Sequence, residues 1–276
     1  MTALGDLLTP AFRMVGDGPE IILYLHGIGG DRTSFDAQIG AFGPRFNHVA
    51  WDMPGYGDSA ALPETTFPAL AEAAVRLLDE LGVHQAHVVG HSMGGMIAQE
   101  LAASHQHRIA SLVLSATSPA FGKPGGDWQQ EFLATRLKPL DDGKTPADLA
   151  PAIVEALIGD APDPDGVRAA IASMSRITPE AYRAALTCLV GFDRRDTLGD
   201  IAVPTLLIAG ERDETAPPKV MQRMAEGITD ARYVCLAGAG HLANLERPKA
   251  FNATLAAFFD NLESPEETDH GFRTHA

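Results

Sequence analysis

An α/β fold, with a mostly parallel sheet flanked by helices and an inserted helical block, is predicted for this chain by three observations. Short apolar runs alternate with amphipathic stretches from residue 9 to about 119, and again from 203 to 262. Between Pro119 and Leu198 the strand-like runs stop and only helical spacing is left. The run Val88-Val89-Gly90-His91-Ser92-Met93-Gly94-Gly95 passes from strand to helix within one residue, which requires the two elements to approach closely. Strands that read as continuous apolar runs are those buried on both faces, as in parallel sheets covered by helices.

The elements follow in order. Ile21–Leu25 is an apolar strand leading into His26-Gly27-Ile28-Gly29-Gly30. Residues 33–42 suit a short helix, and His48–Trp51 a strand that ends in the loop Asp52–Ser59. Leu70, Ala74, Leu77, Leu78 and Leu81 recur at helical spacing over Phe67–Leu81, closed by Gly82 as a C-cap. Ala86, Val88 and Val89 form the strand before Ser92; Met96, Ile97, Leu101 and Ala102 continue as a helix, and Ser111–Ser115 is again a strand. Within the inserted block, helices are predicted near 128–138, 147–158, 165–175 and 179–191, separated by Pro, Gly and Asp. Alternation then resumes with strand Val203–Gly210, a helix near 217–226, strand Arg232–Leu236 and a last helix over 248–262. The chain thus divides into a core (1–118 and 199–262), a helical lid (119–198) and a polar tail (263–276) expected to be disordered.

The composition excludes several functions. A formal net charge of −15 argues against nucleic acid or an anionic membrane as partner, since both need a basic surface. The start Met1–Asp6 has neither a basic n-region nor a long apolar h-region, so no signal peptide is expected. No apolar run approaches the ~18–20 residues that span a bilayer. Cys188 and Cys235 sit far apart in apolar runs and read as buried thiols of a reducing compartment. A cytoplasmic protein is expected, with homodimerisation left open. No His-Glu-x-x-His and no Cys/His cluster is present, so neither a metal nor a cofactor is expected.

The chemistry concentrates at Gly90–Gly94. A strand-to-helix turn of the form Gly-x-Ser-x-Gly leaves its serine hydroxyl standing at the top of the sheet, which makes Ser92 a candidate nucleophile. Gly-rich turns also bind phosphate, and a serine there can simply cap a helix. This one lacks the Lys-Ser/Thr ending of a P-loop and the G-x-G-x-x-G spacing of a dinucleotide site. A serine hydroxyl needs a base, and a neutral imidazole needs a carboxylate to fix its tautomer. Both should lie on loops at the carboxyl ends of later strands. Asp213 follows the strand ending at Gly210, and His241 follows the one ending at Leu236. Glu211, Glu214 and Asp31 are the alternative acids. The amide of Met93, the residue after the serine, would meet the developing oxyanion. His91 and His26 read as structural, as does the Asp52–Ser59 turn, set by Pro54 and Gly55. His48, His84, His87, His105 and His107 show no partner pattern.

The order Ser92, Asp213, His241 and five short motifs resemble the α/β-hydrolase superfamily. The motifs are the loop at His26–Gly30, Asp52–Ser59, Gly90–Gly95, Gly210–Asp213 and Gly240–Pro248. The resemblance covers residues 10 to 262 and implies a lid inserted after the sixth strand of the family's sheet. It further implies that Asp213 is the acid and that Ile28 supplies the second oxyanion amide.

A serine at the elbow, where dehalogenases and epoxide hydrolases of this fold carry aspartate, implies acyl transfer or hydrolysis of a carbon–carbon bond in a vinylogous diketone. Enzymes of the second kind have Asn before the nucleophile and Trp after the histidine; here His91 and Leu242 stand there. A cofactor-free perhydrolase would carry a proline in the oxyanion loop, which Gly27–Gly30 lacks. A ligand-binding pseudoenzyme would have lost a triad member. The chain is most similar to 3-oxoadipate enol-lactonases and small esterases with a helical lid, through Val203–Gly210, Asp213, Pro217-Pro218 and His241–Pro248. Its His-Gly-Ile-Gly-Gly loop departs from their Asn-Ser-Leu-Gly type. The expected partner is a small ester or lactone. His26, Gly27, Phe121, Trp128 and Leu242 are the candidate pocket residues. Phe132, Leu133, Met174, Leu186 and Phe192 would either line an apolar pocket or form the lid's own core. Arg136, Arg168, Arg176 and Arg183 are candidates to clamp a substrate carboxylate.

Overall fold

The computed structural model describes residues 9–123 and 125–263 and gathers the apolar runs into one sheet. The strands are β1 (Phe12–Val15), β2 (Ile21–Leu25), β3 (Asn47–Trp51), β4 (Ala86–His91), β5 (Ile109–Ser115), β6 (Thr205–Gly210) and β7 (Ala231–Leu236). Their spatial order is β1-β3-β2-β4-β5-β6-β7, and all neighbours pair in parallel except β1, which runs antiparallel to β3 at one edge. β4 is central and buried at every position. Its C-terminal end therefore opens at the middle of the sheet's carboxyl edge, where α/β sheets place their ligands.

The helices are α1 (Asp36–Phe42), α2 (Phe67–Glu80), α3 (Met93–His105), α4 (Asp127–Asp141), α5 (Pro146–Leu157), α6 (Pro164–Ser175), α7 (Pro179–Leu189), α8 (Pro218–Glu226), α9 (Ala243–Glu246) and α10 (Pro248–Glu263). Strand alternation divides the core between the two sheet faces. Leu23 and Leu25 pack with α2 and α3, whereas Ile22 and Tyr24 pack with Phe35, Phe251 and Phe259. His48 joins the second layer by hydrogen-bonding the Tyr24 hydroxyl at 3.0 Å.

Three of the four inserted helices, α5 to α7, start where a capping side chain precedes a proline: Thr145-Pro146, Asp163-Pro164 and Thr178-Pro179. Each side chain accepts an otherwise unpaired amide of the first turn, an arrangement that contributes about 1 kcal/mol per cap. The two ends of the insertion meet at its neck. Ala120 bridges Asp193, Phe121 N donates to Phe192 O at 2.9 Å, and Arg194 N donates to Pro119 O at 2.7 Å. Arg194 also pairs with buried Glu100 of α3 at 2.5 Å, tying the neck to the core.

Several expectations need correction. The helix predicted from residue 33 starts at Asp36, because Asp31 accepts the Thr33 amide and Ser34 accepts the Asp31 amide in a tight turn. Cys188 is buried but Cys235 is exposed, on β7, the strand at the edge of the sheet. Residue 263 still belongs to α10, and residues 264–276 of the expected tail lie outside the described residues. Among the described residues no helix is long and apolar enough to cross a membrane.

Candidate active site

The turn between β4 and α3 is forced by close packing. A side-chain carbon on Gly94 would stand 2.0 Å from the Leu25 carbonyl oxygen, and one on Gly90 would stand 2.5 Å from that of Gly94. Only glycine fits at either position, so strand, turn and helix touch backbone to backbone. Ser92 between them adopts φ 54° and ψ −118°, a region that non-glycine residues rarely occupy. Its amide donates to Ser115 O at 2.9 Å, and its carbonyl accepts from the Gly95 and Met96 amides and from the Thr117 hydroxyl.

The two later loops bring their side chains to this serine. His241 Nε2 lies 2.9 Å from Ser92 Oγ, and His241 Nδ1 lies 2.8 Å from Asp213 Oδ2. The other Asp213 oxygen accepts the Thr215 and Ala216 amides at 2.8 and 2.9 Å. Burial alone would raise the Asp213 pKa. The hydrogen bond and charge of His241, with those two amides, outweigh it and hold the carboxyl below its ordinary value. An ionised Asp213 requires the proton on His241 Nδ1, which leaves the Nε2 lone pair facing the serine. Of the alternative acids, Glu211 accepts the Gly238 amide, Asp31 pairs with Arg176 at 2.5 Å, and Glu214 is exposed.

Two backbone amides of the neighbouring segments are unpaired. Met93 N is the first of α3, and Ile28 N lies in the turn after β2; neither has an acceptor among the described residues. His26 is buried behind that turn and does not line the cavity, contrary to expectation. Its Nε2 accepts the Met53 amide at 3.0 Å, so Nδ1 donates to Gly27 O at 2.8 Å. Burial lowers its pKa, consistent with a neutral ring that pins the loop to the turn after β3. His91 donates Nε2–H to the His241 carbonyl at 2.8 Å. Asp52 is held by Arg32 at 2.6 Å and by the Arg32 amide, which makes Asp52–Ser59 a braced turn.

One group went unread in the sequence. Glu246 is buried, and its carboxylate accepts the amides of Gly240 and Leu242 on either side of His241, at 3.0 and 2.9 Å. It also accepts the Gly159 amide at 2.6 Å, while His241 N donates to Leu157 O at 2.7 Å. The end of α5 is thereby fastened to the histidine loop. The only sequence signal was a carboxylate five residues after His241, beside Pro248.

Ser92 and His241 open into a cavity of about 160 Å³ lined by Gly27, Ile28 and Leu242 from the core and by side chains of α4–α7. Phe121, Phe132, Met174 and Leu186 line it. Trp128 does not: it is 57% exposed, with its ring 5.2 Å from that of Phe121. Phe192 is buried against Phe67 instead, and Leu133 packs on the core. Tyr182 and Leu157 also line the cavity and were not foreseen. Among the described residues no cluster of His, Cys, Asp or Glu is placed to hold a metal ion.

Residues 20–248 match the α/β hydrolase fold family, and the chain belongs to that family. Over 263 residues it is 29% identical to the dihydrolipoyllysine-residue acetyltransferase component of the acetoin cleaving system of Cupriavidus necator, covering 91% of this chain and 66% of that protein. It thus spans just under two thirds of that relative's length. It is 26% identical over 253 residues to 3-oxoadipate enol-lactonase 1 of Acinetobacter baylyi, covering 90% of this chain and 92% of the relative. A malate-bound thermophilic esterase from Thermogutta terrifontis superposes with a TM-score of 0.83 at 25% identity, over 91% of this chain and 93% of that one.

Proposed function

We propose that the protein is a serine hydrolase that cleaves a small carboxylic ester or lactone through an acyl-enzyme. The observation that carries this reading is the continuous relay from Asp213 through His241 to Ser92, opening directly on an apolar cavity. Similarity to an enol-lactonase and to an esterase supports the same bond type.

In this reading His241 Nε2 takes the Ser92 proton as Oγ attacks the carbonyl carbon, and Asp213 stabilises the imidazolium that forms. The carbonyl oxygen becomes an oxyanion held by the Ile28 and Met93 amides, with the N-terminus of α3 adding its dipole. His241 then protonates the departing alkoxide, which stays attached to the acyl group if the substrate is a lactone. Water, deprotonated by the same imidazole, attacks the acyl-enzyme; the acid leaves and the Ser92 hydroxyl is restored. Small size and apolar walls suit a short acyl chain.

The test is hydrolysis of p-nitrophenyl butyrate by wild-type protein and by Ser92→Ala. The variant is expected to fold normally and to lose at least about a thousandfold in kcat. A folded variant that keeps a tenth of the activity would exclude Ser92 as nucleophile.

A further inference from the structure

We propose that the cavity selects substrates bearing a carboxylate, held by Arg136 and Tyr182, so that the substrate is a half-ester of a small dicarboxylic acid or a carboxyl-bearing lactone. This rests on the hydrolase reading above and narrows it. Four arginines on the inserted helices could bind an anion, and three already have carboxylates. Arg168 pairs with Asp165, Arg176 with Asp31 and Arg183 with Asp141. Arg136 has no carboxylate partner among the described residues, and it is the one of the four that lines the cavity. No Lys, Asp or Glu accompanies it there. Arg136 is exposed, and its guanidinium stands 5.5 Å from the centroid of the Phe132 ring, another wall of the cavity.

A second, independent group is at the same place. Tyr182 is only 3% exposed and lines the cavity, and its hydroxyl, which is not shut off from solvent, makes no hydrogen bond among the described residues. Burial raises its pKa, and the charge of Arg136, which lines the same cavity, acts against that rise. An anion taken into an apolar site without a counter-charge is costly. A guest carboxylate here would offer one oxygen pair to the guanidinium and a lone pair to the phenol. One guanidinium balances a monoanion; the second charge of a phosphate monoester would go uncompensated against apolar walls. The chain's net charge of −15 gives no general attraction for anions, so selection must come from this local cation.

The test compares p-nitrophenyl hydrogen glutarate with its neutral methyl-capped diester, in wild type, Arg136→Gln and Arg136→Lys. Wild type is expected to favour the anionic ester by about tenfold or more in kcat/KM, through KM. Arg136→Gln should abolish that ratio and Arg136→Lys restore part of it. Equal preference in wild type and Arg136→Gln, with the neutral ester still cleaved, would overturn the proposal and leave the hydrolase reading intact. A binding readout separates the converse failure. Titration calorimetry of Ser92→Ala with methyl hydrogen glutarate should show binding that is lost on adding Arg136→Gln. Arg136-dependent binding by a protein that cleaves neither ester would support the anion site and overturn the hydrolase reading. Binding indifferent to Arg136 would overturn the site.

Discussion

Ser92 keeps a backbone conformation that its neighbours over-determine. Its amide and carbonyl make four hydrogen bonds, to Ser115, Gly95, Met96 and Thr117, which hold the left-handed φ that a serine would otherwise leave. His91, one residue earlier, shows what so tight a corner does to an ionisable group. Burial, followed by the neighbouring His241, lowers its pKa to about 4. Between the ordinary histidine value of ~6.5 and this folded value, the unfolded chain takes up a proton that the folded chain refuses. Stability is therefore fully retained above that window and falls as pH drops through it, by something on the order of 3 kcal/mol. A glutamine can still donate to the His241 carbonyl but does not titrate. His91→Gln is expected to flatten the plot of Tm against pH between pH ~6.5 and 4; thermal scans across that range that keep the wild-type slope would contradict the assignment.

At the scale of elements, the histidine loop depends on Glu246 as much as on its own sequence. One carboxylate accepts the amides on both sides of His241 and that of Gly159 after α5. Glu246→Ala leaves three amides unpaired, that of Gly240 buried and those of Gly159 and Leu242 half-buried, each costing about 1–3 kcal/mol if water does not reach it. Glu246→Gln keeps an acceptor for part of the set. Glu246→Ala is expected to lower both Tm and kcat, with Glu246→Gln retaining more of kcat at equal folded fraction. Identical kcat losses in the two variants would show that the loop does not need this clamp. The elements themselves were legible because apolar periodicity is local. All four inserted helices start within a residue of the predicted positions, and β4, β5, β6 and β7 match their runs. The clamp was not legible, since Glu246 and Gly159 are 87 residues apart and nothing local to either predicts the contact. Cys235 failed for a related reason: an apolar run does not tell whether its strand has a neighbour on both sides, and β7 has one only on β6.

Across the whole molecule, the candidate triad and much of the cavity wall come from different parts of the chain. The parallel core supplies Ser92, Asp213, His241 and the Ile28 loop along one edge of the sheet, while the insertion supplies about half of the cavity wall. The first set could be read from order and spacing, because each residue follows a strand end and the fold makes those ends converge. The second could not. Helical periodicity marks Phe121, Phe132, Leu133, Met174, Leu186 and Phe192 alike as buried, but only packing between helices sorts cavity wall from lid interior. Trp128, apolar yet exposed, and Tyr182, aromatic yet facing the cavity, depend on that packing for their places. In the proposed reading this assembly turns Ser92 into an acyl-transfer nucleophile. The decisive measurement is to treat the active wild-type protein with a fluorophosphonate and map the adduct by mass spectrometry. One adduct per chain is expected, on Ser92, rising in step with loss of esterase activity. An adduct on another residue with activity lost, or full activity in protein modified at Ser92, would contradict it.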